Sequence, residues 1–170
     1  MPHSDSLFET PAFNHWDRRF NDLSQFIAQW SKDPSTQVGA VIVGDMNRIV
    51  STGFNGLPAG VEDTVERLND RQLKYQMIVH AERNAIINAR QNVAGMRIYV
   101  WPMMPCSVCA SLIIQAGLTE VIAPENTNER WVDSFTLSRT MFEEAGVTLR
   151  LAPESWGGAG GTRAAPSDAS

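Results

Sequence analysis

Two short stretches dominate the interpretation of this chain: His80-Ala81-Glu82 and Pro105-Cys106-Ser107-Val108-Cys109. Each follows a loop or strand directly and opens a predicted helix. Cys106 and Cys109 lie three positions apart, so their sulfurs share one helix face, and the positive end of that helix favours thiolates over thiols. One imidazole and two thiolates make three protein ligands for a metal. They leave the fourth tetrahedral position to water, which distinguishes a catalytic zinc site from a structural one.

The position of Glu82 sets a geometric requirement. On an ideal helix, residues two apart point to opposite sides, so His80 and Glu82 would diverge. Both side chains reach one pocket only if that pocket lies off the first turn, at the helix end. Two buried structural cysteines, or a redox pair, are the alternatives to a metal site. The first leaves the shared helix-start pattern unexplained, and the second gives His80 and Glu82 no role.

The composition favours one acidic globular domain. The chain has 170 residues, 43% of them hydrophobic, a net charge of −5 and a pI near 5.1, which suits a single core. An acidic chain is a poor candidate for binding nucleic acid, which relies on clustered Lys and Arg. No apolar run is long enough to span a membrane, and the first residues lack the features of a secretory signal. We therefore expect a cytoplasmic protein that binds neither membranes nor nucleic acid.

Hydrophobic periodicity and turn residues predict helices that alternate with strands after an initial hairpin. The first predicted helix begins at Asn14, and three more cover residues 80–91, 106–115 and 133–145. Residues 61–79 are predicted to be a loop with short helical pieces. The predicted strands cover residues 38–43, 48–54, 97–101, 120–123 and 147–151. This order indicates a mixed sheet with helices on both faces. We predict one domain over residues 14–151, a flexible arm at 1–13 and a flexible Gly- and Pro-containing tail at 152–170.

Four stretches resemble the deoxycytidylate (dCMP) deaminase family of the cytidine deaminase superfamily. They are SKDPSTQVGA at 31–40, STGFNGLP at 51–58, HAERNAI at 80–86 and PCSVCASLIIQAG at 105–117. The pattern H-x-E followed by P-C-x-x-C is the signature of zinc nucleobase deaminases. The resemblance implies an α/β fold, a three-layer α/β/α sandwich around a five-stranded mixed sheet, with zinc between two helix N-termini. It also implies hydrolytic deamination of a cytosine nucleotide, with dCMP converted to dUMP and ammonia released.

The resemblance implies a metal centre with one zinc ion per chain. His80, Cys106 and Cys109 would bind Zn²⁺, and Glu82 would carry protons without ligating the metal. Some family members hold a second, structural zinc through additional Cys and His residues before the His-Ala-Glu stretch. Residues 56–79 contain neither residue type, so a single zinc is expected here.

The resemblance also implies contacts with a small nucleotide. Asn55 would hydrogen-bond the sugar, and the backbone around Ala81 and Pro105 would meet the base. The alternative for Asn55 is a turn residue chosen for its backbone conformation. A monophosphate requires cations, and three candidates flank the motifs: Lys32, Arg71 and Lys74. Members of the family usually form dimers or hexamers, so we expect a homo-oligomer.

Two other functions compete with this interpretation. A tRNA adenosine deaminase shares both motifs, but its connection between the asparagine and the histidine is short, whereas 24 residues separate Asn55 from His80 here. A deaminase of cytidine, cytosine, guanine or a modified nucleotide is a further alternative. The substrate is selected by loops whose positions cannot be read from the sequence. A non-enzymatic zinc protein would fill the fourth metal position with a protein ligand, and no such residue lies nearby in sequence.

Overall fold

The computed structural model describes residues 11–158. The predictions for residues 1–10 and 159–170 lie outside the described residues. The helices of the described chain are α1 (His15–Ala28), α2 (Val65–Asn69), α3 (Arg71–Met77), α4 (Ala81–Ala89), α5 (Ser107–Gln115) and α6 (Val132–Ala145). The strands are β1 (Gly39–Val43), β2 (Ile49–Phe54), β3 (Arg97–Trp101), β4 (Glu120–Pro124) and β5 (Thr148–Ala152). No helix among residues 11–158 is both long and apolar enough to cross a bilayer.

The five strands form one mixed sheet, as predicted. Their order is β2-β1-β3-β4-β5. Strand β1 pairs antiparallel with both β2 and β3, while β3, β4 and β5 run parallel. The parallel strands require helical crossovers, and α5 and α6 supply them. The hairpin β1–β2 and the later strand–helix alternation therefore both follow the sequence pattern.

Strand β1 separates two hydrophobic layers. Val41 and Val43 pack with Phe20 of α1 on one face of the sheet. Ala40 and Ile42 pack on the other face, in a core shared with α4, α5 and α6. All five residues of β1 are buried, as expected of a strand covered on both faces. This confirms the three-layer α/β/α sandwich.

The predicted domain boundary at residue 151 differs from the structure. Ala152 belongs to β5, and a 3₁₀ helix follows at Glu154–Gly157. The Trp156 carbonyl accepts hydrogen bonds from Asn21 Nδ2 at 3.2 Å and from Trp101 Nε1 at 3.0 Å. These contacts attach residues up to 158 to α1 and β3. The surrounding Gly and Pro residues concealed the anchoring role of one tryptophan.

The start of α1 is fixed by a capping box and a buried ion pair. Asn14 Oδ1 accepts from the Asp17 amide, and Asp17 Oδ2 accepts from the Asn14 amide at 2.9 Å, which satisfies two backbone donors at the helix start. The same carboxylate lies 2.9 Å from Arg150 Nη2 and accepts the Tyr99 hydroxyl at 2.7 Å. Burial alone would raise the pKa of Asp17, but the hydrogen bonds from Arg150, Asn14 and Tyr99 lower it.

Helix α4 lies unusually close to the sheet at Gly53. A Cβ atom on Gly53 would collide with the Ala81 carbonyl oxygen and the Ala85 amide nitrogen. A glycine is therefore needed here because of the close approach of helix and strand. The contact sets the height of the first turn of α4 above β2.

Two asparagines of α4 cover the backbone of the edge strand β2. Asn84 Nδ2 donates to the Phe54 carbonyl at 2.8 Å. Asn88, one turn later, donates from Nδ2 to the Thr52 carbonyl at 3.0 Å. These bonds occupy carbonyl groups that an edge strand otherwise presents to solvent.

Candidate active site

The two sequence stretches meet because each begins a helix on the same side of the sheet. His80 is the N-cap of α4 and Cys106 is the N-cap of α5, and both have extended backbone. His80 therefore lies outside the helical spiral, which removes the divergence expected of residues two apart. His80 and Glu82 line the same cleft. Cys109, in the first turn of α5, is buried.

The three predicted ligand atoms form a compact triangle. His80 Nδ1 lies 3.5 Å from Cys106 Sγ and 3.4 Å from Cys109 Sγ. Zn–N and Zn–S bonds of about 2.0 and 2.3 Å at a tetrahedral angle place N and S about 3.5 Å apart. The donor set and spacing therefore fit Zn²⁺. Among the described residues, this is the group of three or more His, Cys, Asp or Glu side chains arranged to hold a metal.

The pKa values of the two thiols are shifted in opposite directions. Hydrogen bonds from Cys109 and His80 lower the pKa of Cys106 to about 4, against the effect of burial. The hydrogen bond with Cys106, together with burial, raises the pKa of Cys109. The hydrogen bond with Cys106 raises the pKa of His80 despite burial. One thiolate is thus present at neutral pH, and binding of a metal at the triangle would release a proton from the second thiol.

Glu82 is a buried carboxyl group of the cleft. Its residue is 4% exposed, and burial raises its pKa, while the neighbouring His80 opposes the rise. A carboxyl group whose pKa moves toward neutrality can both accept and donate a proton at that pH. Because Glu82 lines the cleft beside the His/Cys/Cys triangle, it can serve a molecule bound there.

The cleft has about 680 Å³ of empty space, which includes space open to solvent. Asn55, Ala81 and Lys74 line it together with His80 and Cys106. Its apolar wall consists of Val38, Ile78, Met103, Met104, Trp131 and Phe135. Pro105 is fully buried directly before Cys106 and does not line the cleft itself.

Asn55 is engaged inside the protein as well as facing the cleft. Its Oδ1 accepts the Val38 amide at 2.8 Å, and its Nδ2 donates to the Thr36 carbonyl at 2.9 Å and to Asp33 Oδ2 at 3.3 Å. Both amide protons are used, so only an oxygen lone pair stays available to a ligand. Asn55 therefore holds the 33–38 loop at the wall of the cleft.

The three candidate phosphate cations occupy different environments. Lys32 is exposed and pairs with Asp63 at 2.6 Å, away from the cleft lining. Lys74 lines the cleft, but it is buried in an ion pair with Asp33 at 2.9 Å. Arg71 lies over the ring of Tyr75, which lines the cleft.

Sequence reasoning missed part of the cleft wall. Arg130, Trp131 and Phe135 line it, and the rings of Trp131 and Phe135 stack with centroids 6.3 Å apart. These residues follow β4, far in sequence from either motif. No local pattern marks them, since only the order of the parallel strands brings this segment beside α5.

The fold and the site together define a class: an α/β/α protein with a His/Cys/Cys cluster able to hold a metal ion at two helix N-termini, beside a cleft that contains a buried carboxyl group. Residues 14–124 match the family model for the cytidine and deoxycytidylate deaminase zinc-binding region. The chain belongs to the cytidine and deoxycytidylate deaminase family.

Individual relatives agree with this membership. The chain is 45% identical over 141 residues to the uncharacterized deaminase in the luxG 3′ region of Aliivibrio fischeri, covering 81% of this chain and 94% of that protein. It is 43% identical over 143 residues to human deoxycytidylate deaminase, covering 79% and 78%. The fold is similar to that of the dCMP deaminase of cyanophage S-TIM5 in complex with dCMP and dUMP, with a TM-score of 0.63, 21% identity, and coverage of 79% and 94%.

Proposed function

We propose that this chain catalyses the zinc-dependent hydrolytic deamination of dCMP to dUMP with release of ammonia. The observation that carries the proposal is the convergence of the His80/Cys106/Cys109 triangle and the buried Glu82 at one cleft. The identity to deoxycytidylate deaminases supports the choice of dCMP.

In the proposed mechanism, His80, Cys106 and Cys109 hold the metal. Zn²⁺ bound there would supply a Lewis acid that activates a water molecule. Cys109 is buried and Cys106 is partly buried at the cleft wall. These residues therefore contribute a ligand set of fixed geometry with one side open to the cleft.

Glu82 performs the proton transfers. Its carboxylate accepts a proton from water while the water oxygen adds to C4 of the cytosine ring, and it delivers that proton to ring N3. It then moves the remaining hydroxyl proton to the amino group, which leaves as ammonia while the C4 carbonyl forms. The raised pKa of Glu82 suits a group that must accept and donate in turn.

The remaining contacts orient the nucleotide. Asn55 would accept a sugar hydroxyl at the free lone pair of Oδ1, and the backbone at Ala81 would meet the edge of the base. Pro105 would act by fixing the turn into α5. All three predicted phosphate cations are weak candidates, because the charge of Lys74 is paired with Asp33 and neither Lys32 nor Arg71 lines the cleft.

A substrate panel tests the proposed function. Purified zinc-loaded protein is incubated with dCMP, CMP, dCTP, deoxycytidine, cytosine, adenosine and guanine, and ammonia release is measured. We expect the highest kcat/KM for dCMP. Turnover of guanine or adenosine without turnover of any cytosine compound would replace the proposal with another deaminase, and no turnover with a filled zinc site would favour a structural metal.

Assembly and location belong to the proposal as well. Since the family resemblance implies dimers or hexamers, we propose a cytoplasmic homo-oligomer that acts on a free nucleotide. Light scattering at micromolar concentration tests the assembly, and a stable monomer would contradict it. Fractionation of the producing cells tests the location.

A further inference from the structure

A buried ion pair is joined directly to the side chain of Asn55. Lys74 Nζ lies 2.9 Å from Asp33 Oδ1, and the two side chains are only 4% and 7% exposed. The other carboxylate oxygen of Asp33 accepts from Asn55 Nδ2 at 3.3 Å. All three residues line the cleft. One carboxylate therefore connects a charge on α3 to the amide proposed to contact the sugar.

The pair also fixes the loop that contains Asp33. Asp33 Oδ1 accepts the Ser35 amide at 2.8 Å, and Lys74 Nζ lies 3.3 Å from Ser35 Oγ. The same loop supplies the remaining partners of the Asn55 side chain, which are the Thr36 carbonyl and the Val38 amide. A buried ion pair is often no more stabilising than apolar side chains of the same size. Stability alone therefore does not account for this pair.

The charge on Asp33 helps to decide which way the Asn55 amide faces. The oxygen and the nitrogen of a side-chain amide differ little in size, so only their hydrogen bonds separate the two orientations. A carboxylate accepts and cannot donate, so the Asn55 NH₂ group must face Asp33 and the Thr36 carbonyl. Oδ1 then accepts the Val38 amide at 2.8 Å and keeps one lone pair for a ligand. In the reversed orientation, two pairs of oxygens would face each other without a proton between them.

We propose that Lys74 is a positioning residue for recognition of the sugar. Through Asp33 and the 33–38 loop, it holds the Asn55 amide so that Oδ1 accepts the 3′-hydroxyl of the bound nucleotide. Its charge thus acts on a neutral hydroxyl group and not on the phosphate. This inference rests on the proposed function.

Two product nucleotides that differ by one hydroxyl group test the assignment. Zinc-loaded protein is titrated by calorimetry with dUMP and with 2′,3′-dideoxyuridine monophosphate. A hydrogen bond between neutral groups changes binding about 2- to 10-fold. We expect the wild type to prefer dUMP by such a factor, and Lys74→Met to lose the preference as Asn55→Ala does. Lys74→Arg keeps the charge and should keep most of the preference. Arg18→Met removes the cation of an exposed pair with Asp22 and should match the wild type.

The ratio of the two affinities isolates the positioning role. A Lys74 side chain that contacted the phosphate would, on removal, weaken both nucleotides equally. Equal weakening in Lys74→Met, or an unchanged preference for dUMP, overturns the inference, and so does a wild type that binds neither nucleotide. The titration needs no turnover. A protein that shows the expected ratios but deaminates no cytosine compound would refute the proposed function and leave this inference standing.

A second variant and a second measurement guard against misfolding, because removal of one partner of a buried pair is strongly destabilising. The double substitution Asp33→Asn with Lys74→Met removes both charges and keeps an acceptor for the Ser35 amide. Its new amide can donate as well as accept, so it does not fix the orientation of Asn55. Hydrogen exchange of the Asn55 side-chain amide, followed by NMR without ligand, should be about 10-fold faster in this variant than in the wild type. Equal exchange in the two proteins would overturn the positioning role.

Discussion

The Ser138 hydroxyl of α6 donates to the carbonyl oxygen of Pro105 at 2.9 Å. Both residues are fully buried, and Pro105 directly precedes the N-cap cysteine of α5. The same hydroxyl also approaches the Ser134 carbonyl at 3.0 Å, one turn earlier in α6. Helix α6 thus fixes the turn that holds one predicted zinc ligand.

Ser138→Ala should therefore lower the free energy of unfolding by about 1–3 kcal/mol, because the Pro105 carbonyl is left buried without its donor. Urea denaturation measures the change. Ser111→Ala is the matched control, since the exposed Ser111 hydroxyl bonds only the Val108 carbonyl of its own helix; its change should stay within about 0.5 kcal/mol. Equal effects of the two substitutions would show that Ser138 does not hold the turn.

Glu82→Gln should keep the zinc and the fold but reduce turnover by at least about 10²–10⁴-fold, because the amide cannot move protons. Metal analysis and ammonia release measure the two properties. Glu66→Gln is the control, since Glu66 occupies the same second helical position in α2 and tests a purely electrostatic role at a helix start. Near-normal turnover in zinc-loaded Glu82→Gln would refute the catalytic assignment.

Zinc analysis should give one ion per chain, and Cys109→Ser should reduce zinc affinity more than about 100-fold, beyond the usual effect of residues around a metal site. The reason is that a hydroxyl group replaces one of two thiolates in a three-ligand set. Competition with a chromogenic chelator measures the affinity, with Glu82→Gln as a variant that should retain the metal. Two zincs per wild-type chain would contradict this assignment.

Asp17 should make the protein sensitive to acid. Its folded-state pKa lies below the ordinary value of about 3.9, so the unfolded chain takes up the proton first as pH falls. The stabilisation is complete above about pH 5 and is lost as the pH falls through the folded-state pKa. Asp17→Asn should lower the free energy of unfolding at pH 7 by at most about 3–5 kcal/mol, because buried Arg150 keeps only Glu120 as a charged partner, and it should flatten the loss of stability below pH 5.

Thermal and urea unfolding measure this dependence. The measurements run from about pH 3 to about pH 7, a range that brackets the transition. Asp22→Asn is the control, because Asp22 forms an exposed pair with Arg18 that contributes little. An unchanged pH profile in Asp17→Asn would assign the acid sensitivity to other groups.

Gly53→Ala should destabilise the protein by at least about 1–3 kcal/mol and lower its zinc affinity, because the added methyl group collides with the backbone of α4 and shifts the helix that begins at His80. Gly56→Ala is the matched control, since a Cβ there meets no atom within 4 Å. Denaturation and chelator competition report both effects. A Gly53→Ala protein as stable as Gly56→Ala would mean that α4 can move away from the sheet freely.

Local patterns predicted the sheet and the helix boundaries because their causes are local. The β-branched run of β1 is buried on both faces, and Gly146 ends α6 with a φ of 71°, a conformation that glycine adopts freely. His80 and Cys106 were predicted at helix starts, and both are N-caps. Spacing was informative in these cases because each motif lies within one turn of a single element.

Properties that depend on distant segments could not be predicted. Arg130 and Tyr75 meet across 55 positions, and their contact follows from the strand order rather than from either local sequence. Lys74 was a reasonable phosphate candidate until its buried partner Asp33 was known. Asn55 likewise has its amide protons used by residues of another loop. The sequence alone does not reveal whether a charged group or an amide already forms its hydrogen bonds within the folded protein.

The asparagine bonds from α4 to the edge strand have a consequence for self-association. With the Phe54 and Thr52 carbonyls already bonded to Asn84 and Asn88, a strand from another molecule finds two acceptors occupied and a helix side chain in its path. Growth of the sheet across this border into a continuous intermolecular ribbon, the route by which exposed strands seed aggregates, is thereby obstructed. Copies of this chain that associate near β2 must do so through side-chain contacts rather than by adding strands.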